Sequence, residues 1–127
     1  MSPRTLTLEI VTPDGMALQE SGVDVVVLHR RERRFEPGSE IAVFPLHAPL
    51  LVRLPIAPLR YYKAGERVHL AVGGGFAEVL KDRVLVVTSR VERVAPTDRR
   101  PLASAGAICR TWRREAVDSR ERMVGYA

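Results

Sequence analysis

The chain has 127 residues, 46% of them apolar and 28% charged, with a formal net charge of +5. Such a length suits one domain with a short appendage, and it buries roughly two-thirds of the surface that the unfolded chain exposes, enough for a core without staples. The single cysteine, Cys109, excludes an internal disulfide and a multi-cysteine zinc site. Pro3 and Arg4 lead straight into alternating Leu6, Leu8 and Ile10, unlike a signal peptide. No apolar run approaches the length of about 18 residues that reads as a membrane helix. A soluble intracellular domain is expected.

Charge is unevenly placed. Residues 1–89 hold 11 basic and 10 acidic side chains, whereas residues 90–127 hold nine arginines against Glu92, Asp98, Glu115, Asp118 and Glu121. The excess positive charge therefore belongs mainly to the tail. It attracts negative partners at long range, in a way that salt weakens.

In chain order, Thr5–Val11 alternates with the period of a half-buried strand, and Thr12-Pro13-Asp14-Gly15 is a turn sequence. Met16–Gln19 predicts a short return strand and Val23–Leu28 a buried β-branched one. A polar break over His29–Gly38 precedes Glu40–Phe44. Later strands are predicted at Leu50–Leu54, Leu59–Tyr62, Arg67–Val72, Phe76–Leu80 and Val84–Thr88, with tight connections at Ala64-Gly65 and Lys81-Asp82. Strands at this spacing, punctuated by Pro and Gly, indicate an antiparallel β-sandwich or barrel.

The period changes near Pro96. From Pro101 onward Leu102, Ala105, Ile108, Cys109, Trp112, Ala116 and Met123 form one apolar helical stripe. Arg110, Arg113, Arg114 and Arg120 lie largely outside it. Gly106 weakens the first turns by about 1 kcal/mol, which favours a later start. There is room for one useful helix, not for a hairpin of two long ones.

Motifs that could carry chemistry are sparse. His29, His47 and His69 are 18 and 22 residues apart, without the close pair that a metal site usually shows. Gly73-Gly74-Gly75 precedes a predicted strand, not the helix that a phosphate loop needs, so a turn or bulge is expected. No nucleophile–base arrangement stands out, and no catalytic residue, cofactor or metal is expected. His29-Arg30-Arg31-Glu32-Arg33-Arg34 is the densest charged run; with no aromatic among them it reads as a solvated loop between strands, not as a stacking platform for nucleic acid. In Phe44–Leu50, Pro45 and Pro49 bracket His47, which makes a rigid irregular connection with an imidazole near its apex.

Three ordered motifs resemble the epsilon subunit of the F-type ATP synthase. They are Ile10-Val11-Thr12-Pro13, the stretch Ser39-Glu40-Ile41-Ala42-Val43-Phe44-Pro45-Leu46-His47-Ala48-Pro49-Leu50, and Gly74-Gly75-Phe76-Ala77-Glu78-Val79. The resemblance implies a β-sandwich of about ten strands followed by helical structure; with the stripe read above, the domains are expected to be a sandwich over residues 1–92 and a short basic amphipathic helical tail over 93–127. It implies a non-catalytic rotor subunit that binds the gamma subunit and the c ring and couples proton or sodium flow to ATP synthesis and hydrolysis. Such a subunit sits at the cytoplasmic face of the bacterial inner membrane and meets the membrane only through the complex. Glu40 matches the family position that contacts the c-ring loops, and His47 lies in the neighbouring loop. The basic tail is an expected contact for the catalytic beta subunit.

Departures are equally specific. Two family glycines are Ala42 and Leu46 here, which predicts altered backbone conformations, since a non-Gly residue avoids φ > 0. The run His29–Arg34 looks like an insertion. A tail too short for two helices suggests a divergent form, from an alternate ATP synthase. The nucleotide motif of some relatives falls on Thr97-Asp98-Arg99-Arg100-Pro101-Leu102, where Asp98 matches the acid but Pro101 takes the arginine position. No ATP binding is expected. The competing reading is an autonomous basic β-domain that binds nucleic acid or anionic lipid.

Overall fold

A computed structural model describes the backbone of residues 4–33 and 36–124. Eight strands precede one helix: β1 (Leu6–Thr12), β2 (Gly15–Val23), β3 (Val25–Arg33), β4 (Glu36–Val43), β5 (Leu50–Lys63), β6 (Glu66–Leu80), β7 (Arg83–Val87), β8 (Val91–Arg93) and α1 (Pro101–Val124). The strands hydrogen-bond in the order β2-β1-β7-β6-β5-β3-β4, and β8 adds to β6.

This continuous sheet folds over on itself. β5 and β6 form a long antiparallel hairpin whose register is unbroken from Leu50↔Val79 to Lys63↔Glu66, except opposite Pro55. Its two halves belong to different layers. The half near Phe76–Leu80 pairs with β7, and the half near Leu70–Val72 pairs with β8. Between them Gly74 and Gly75 take φ of 85° and 104°. Gly73 N–H donates to Arg90 O at 2.9 Å, which holds the segment joining β7 to β8 against the bend. A Cβ on Gly75 would drive into the Val87 carbonyl. The three glycines thus form a bend within a strand, as the turn-or-bulge reading expected.

One core fills the space between the layers. Leu6, Leu8, Ile10, Val84 and Val86 meet Val26, Leu28, Leu59, Tyr61, Leu70 and Val72 in a single buried cluster. Alternation along each strand sets this, since every second side chain faces inward.

Several expectations need correcting. The strands number eight, not about ten, because Leu50–Leu54 and Leu59–Tyr62 are one strand, as are Arg67–Val72 and Phe76–Leu80. Prolines and glycines inside a strand bend it here without ending it. The sandwich is not wholly antiparallel, because β1 and β7 pair in parallel, from Thr7↔Arg83 to Val11↔Val87. The return strand predicted at Met16–Gln19 runs on to Val23. The polar break at His29–Gly38 is instead the end of a β3–β4 hairpin, paired as far as Arg33↔Glu36, and Arg34 lies outside the described residues. Helix α1 begins at Pro101 despite Gly106, because proline with its fixed φ suits a first helical position. Its buried stripe is Ala105, Cys109 and Trp112, with Ile108 half-buried, whereas Leu102 is exposed. The side chain of Met123 lies outside the described set.

The bend yields a direct test. Gly75→Ala should lower unfolding stability by on the order of 2–3 kcal/mol, through a disfavoured backbone angle and a collision with the β7 carbonyl. Gly65→Ala, at a hairpin turn with open space around it, should cost about 1 kcal/mol. Urea midpoints of the two variants decide the order. Equal losses would show that the bend is not tightly packed.

Candidate functional site

Glu40 and His47, the two residues singled out by sequence, stand in different surroundings. Glu40 lies on β4 and projects from the outer face of the second layer. Its carboxylate accepts two hydrogen bonds from Arg60, at 2.9 and 3.2 Å, and approaches His29 Nε2 at 3.7 Å. The register explains the cluster: His29 lies directly opposite Glu40, and Arg60 lies on the next strand of the same face. The Arg60 hydrogen bonds hold the Glu40 carboxyl below its ordinary pKa and raise that of the Arg60 guanidinium.

His47 lies in the exposed connection between β4 and β5. Its Nδ1–H donates to Ala48 O at 2.7 Å, and its backbone N–H donates to Phe44 O at 3.2 Å. Leu46, at one of the missing glycines, nevertheless has φ of 67°. A left-handed backbone is thus held by a non-glycine residue there, contrary to expectation, at a cost of roughly 1–2 kcal/mol for an L-residue. Leu46 N–H donates to Asp82 Oδ1 at 3.3 Å, so the β6–β7 turn braces this loop. Ala42 is not among the residues with positive φ. No hydrogen bond or ion pair joins Glu40 to His47 among the described residues.

Sequence reasoning missed a third feature, the bare outer face of the first layer. The register aligns Arg53, Phe76, Val87, Val11 and Met16 in one row across five strands. Beside it stand Leu51, Leu80 and Leu85, with Leu51 at 73% exposure. Phe76 and Val87 line an open groove of about 440 Å³ with Val11, Thr12 and Pro13. A signal was present: Val84-Leu85-Val86-Val87 is apolar at every position, the pattern of a strand meant to be covered on both faces. The second layer's outer face is partly covered, since α1 lays Ile108, Cys109 and Trp112 on Ala71 and Ile56. Arg90 stacks on the Trp112 ring at 4.0 Å and pairs with Glu115 at 2.8 Å, and Arg113 Nη1 donates to Ile56 O at 2.6 Å.

In the stretch Thr97–Leu102, both Asp98 oxygens are engaged. Oδ1 accepts from Arg100 N–H at 2.7 Å and Oδ2 from Ser104 Oγ at 2.6 Å, which ties down the start of α1 and lowers the carboxyl pKa. His69 is buried beside this corner with Nδ1 unpartnered among the described residues, and burial lowers its pKa. No group of three or more potential metal ligands occurs among the described residues, and no helix there is long and apolar enough to cross a membrane.

Residues 5–94 match the family described as ATP synthase, Delta/Epsilon chain, beta-sandwich domain. The chain belongs to this family. It is 36% identical to the ATP synthase epsilon chain of Solibacter usitatus over 118 residues, 91% of this chain and 79% of that one. It is 33% identical to that of Desulfitobacterium hafniense strain Y51 over 120 residues, 91% and 84% of the two chains. Among solved structures it resembles a chain of the Euglena gracilis mitochondrial ATP synthase OSCP/F1/c-ring assembly, with a TM-score of 0.64 and 23% identity, covering 83% of this chain and 63% of that one. A Tetrahymena thermophila central stalk/c-ring chain gives a TM-score of 0.57 at 14% identity, covering 93% and 95%. At these identities the structural likeness is one of fold.

The Glu40 cluster has a testable pH signature. A carboxyl whose folded pKa is depressed contributes stability above its ordinary pKa and loses that contribution as pH falls through the depressed value. Because Glu40 is half exposed, Glu40→Gln should cost under about 1 kcal/mol at neutral pH. The gap between variant and parent should close in acid, below the ordinary carboxylate range. Urea titrations at both pH values read it; a gap that persists in acid would mean that the Arg60 pairing is not its source.

Proposed function

We propose that this chain is the non-catalytic central-stalk subunit of a proton- or sodium-translocating F-type ATP synthase. In this reading it binds the gamma subunit and the c ring and helps couple ion flow to ATP synthesis and hydrolysis, without a cofactor of its own. It is peripheral, at the cytoplasmic face of a bacterial inner membrane. The β-sandwich, residues 1–92, is the docking domain, and residues 93–127 are the tail that reaches toward the beta subunit. Family membership over nearly the whole sandwich carries the reading, and the bare apolar face supports it.

That face suits a protein partner. Exposed Phe76, Val87, Met16, Leu51 and Leu80 form a patch that water solvates poorly, of the kind that marks interaction sites. We assign gamma to it, with one of gamma's apolar side chains in the groove beside Phe76. Glu40 and His47 are assigned to contacts with c-ring loops or gamma. The autonomous basic-domain reading does not account for the apolar row.

Co-expressed with its own gamma subunit, the chain should purify as a complex that survives about 0.5 M salt, where screening reduces the range of charge interactions to a few ångströms. Phe76→Asp should release it, while Glu66→Ser, at the exposed start of β6 away from the groove, should not. Gamma recovered free of the wild-type chain at low salt would sink the rotor reading. Complex formation unaffected by Phe76→Asp would move gamma to another face.

Cysteines at Glu40 and His47 test the c-ring end separately. In the assembled complex they should cross-link to c or gamma, whereas one at Arg114, on the exposed side of α1, should not reach c. Cross-linking to c from Arg114 alone would overturn the orientation.

A further inference from the structure

The β3–β4 hairpin extends beyond the sandwich. β3 pairs with β5 only from Val25↔Tyr62 to Val27↔Arg60. Pro58, next in line on β5, has no N–H to offer, and its carbonyl takes the His29 ring Nδ1–H at 3.1 Å. Past that point β3 and β4 pair with each other alone, through Arg31↔Pro37 and Arg33↔Glu36. Gly38 allows the two to pack, because any Cβ there would collide with the Arg30 carbonyl.

This arm is heavily basic. Four arginines occur in the six residues from His29 to Arg34. Arg30 and Arg31 are exposed, and neither has an ion-pair partner among the described residues. Glu32 accepts from Ser39 Oγ at 2.9 Å across the hairpin. The pairing shifts register on both sides of Arg31, so Arg30 and Arg31 stand exposed on an irregular stretch of a two-stranded projection.

We propose that this arm engages the anionic phospholipid headgroups around the c ring. Exposed guanidiniums without ion-pair partners, on a hairpin end that pairs with no other strand, suit a dense layer of phosphate headgroups, which presents an anion to each of them. The placement rests on the rotor reading, in which Glu40, farther along the same hairpin, faces the ring. It adds a direct lipid contact to a subunit otherwise expected to reach the membrane only through its partners.

Each arginine held near an anionic surface strengthens partition by about five-fold, so removing two should weaken it by roughly 20- to 30-fold. The full chain should sediment with phosphatidylcholine vesicles containing phosphatidylglycerol, and not with phosphatidylcholine alone. The double variant Arg30→Ser, Arg31→Ser should lose binding by that factor. Arg110→Ser with Arg114→Ser, on the exposed side of α1, should lose clearly less. Binding by the arm variant equal to wild type, a loss confined to the helix variant, or indifference to phosphatidylglycerol would each overturn the proposal. So would an arm variant that loses binding to the purified c ring in phosphatidylcholine nanodiscs, since the arm would then be contacting protein. Gamma co-purification of the arm variant is measured in parallel and should be unchanged, so that failure here is distinct from failure of the rotor reading.

Discussion

Everything in this fold turns on the close approach of Gly75 to the Val87 carbonyl. With no Cβ at that point, β6 can bend sharply while remaining one strand, and the segment after β7 can cross it. Pro55 marks the same level on β5, where its residue pairing with Gly74 is missing. A long hairpin is thereby shared between two layers, and its inward-facing side chains close one core. A larger residue at position 75 would force the strands apart and open the junction between the layers.

The same crossing positions the helix. Ser89 Oγ donates to Gly73 O at 3.0 Å, and Arg90 emerges next to it, pointing at Trp112. Arg90 thus links the bend to α1 by stacking on the indole and by pairing with Glu115. The apolar seam beneath is small, chiefly Ala71, Ile56, Ile108, Cys109 and Trp112. Such a seam fixes where the helix lies with few large side chains, so the cation–π contact forms a substantial part of the attachment. The helix covers only the second layer, and the first layer is left with its apolar rows in solvent.

How much of this was readable in the sequence depended on the range of the interactions involved. Alternation in Leu6, Leu8 and Ile10 and the stripe of Ala105, Cys109 and Trp112 are local, and both appear as expected. Continuity through Pro55 and Gly73–Gly75 was not readable. Proline and glycine signal interruption locally, and only pairing with β7, β8 and each other keeps those strands whole. Leu46 is similar: its side chain argues against a left-handed backbone, yet the Asp82 carboxylate, 36 residues away, bonds its N–H. At the candidate site, the motif around Glu40 was legible, but its partner Arg60 was not, because only the β3–β5 register brings it near. The bare face was implicit in the all-apolar Val84–Val87, yet its extent depends on which strands lie alongside.

Two kinds of binding surface are kept apart in this chain, and the separation follows from the topology. Apolar side chains are exposed where strands pair in the middle of a layer, on β5, β6, β7 and β1; of the acids on that face, Glu9 pairs with Arg83 at 2.8 Å and Glu78 stands exposed between Leu51 and Leu85. Contact on such a face comes from area, and area is indifferent to salt. Exposed arginines gather instead on structure that leaves the sandwich, Arg30 and Arg31 on the β3–β4 arm and Arg110 and Arg114 on the outer side of α1, with Arg53 alone at the margin of the apolar row. Contact there comes from charge, which acts over about 10 Å at moderate ionic strength and weakens as salt rises. A partner that needs a fixed, lasting hold fits the first surface. One that must be gripped and released as it slides past fits the second, because a diffuse charge contact resists displacement along the surface far less than an interlocked apolar one. In a subunit that turns with a rotor, the lasting contact belongs with gamma, which turns with it, and the diffuse contact with a lipid surface that does not.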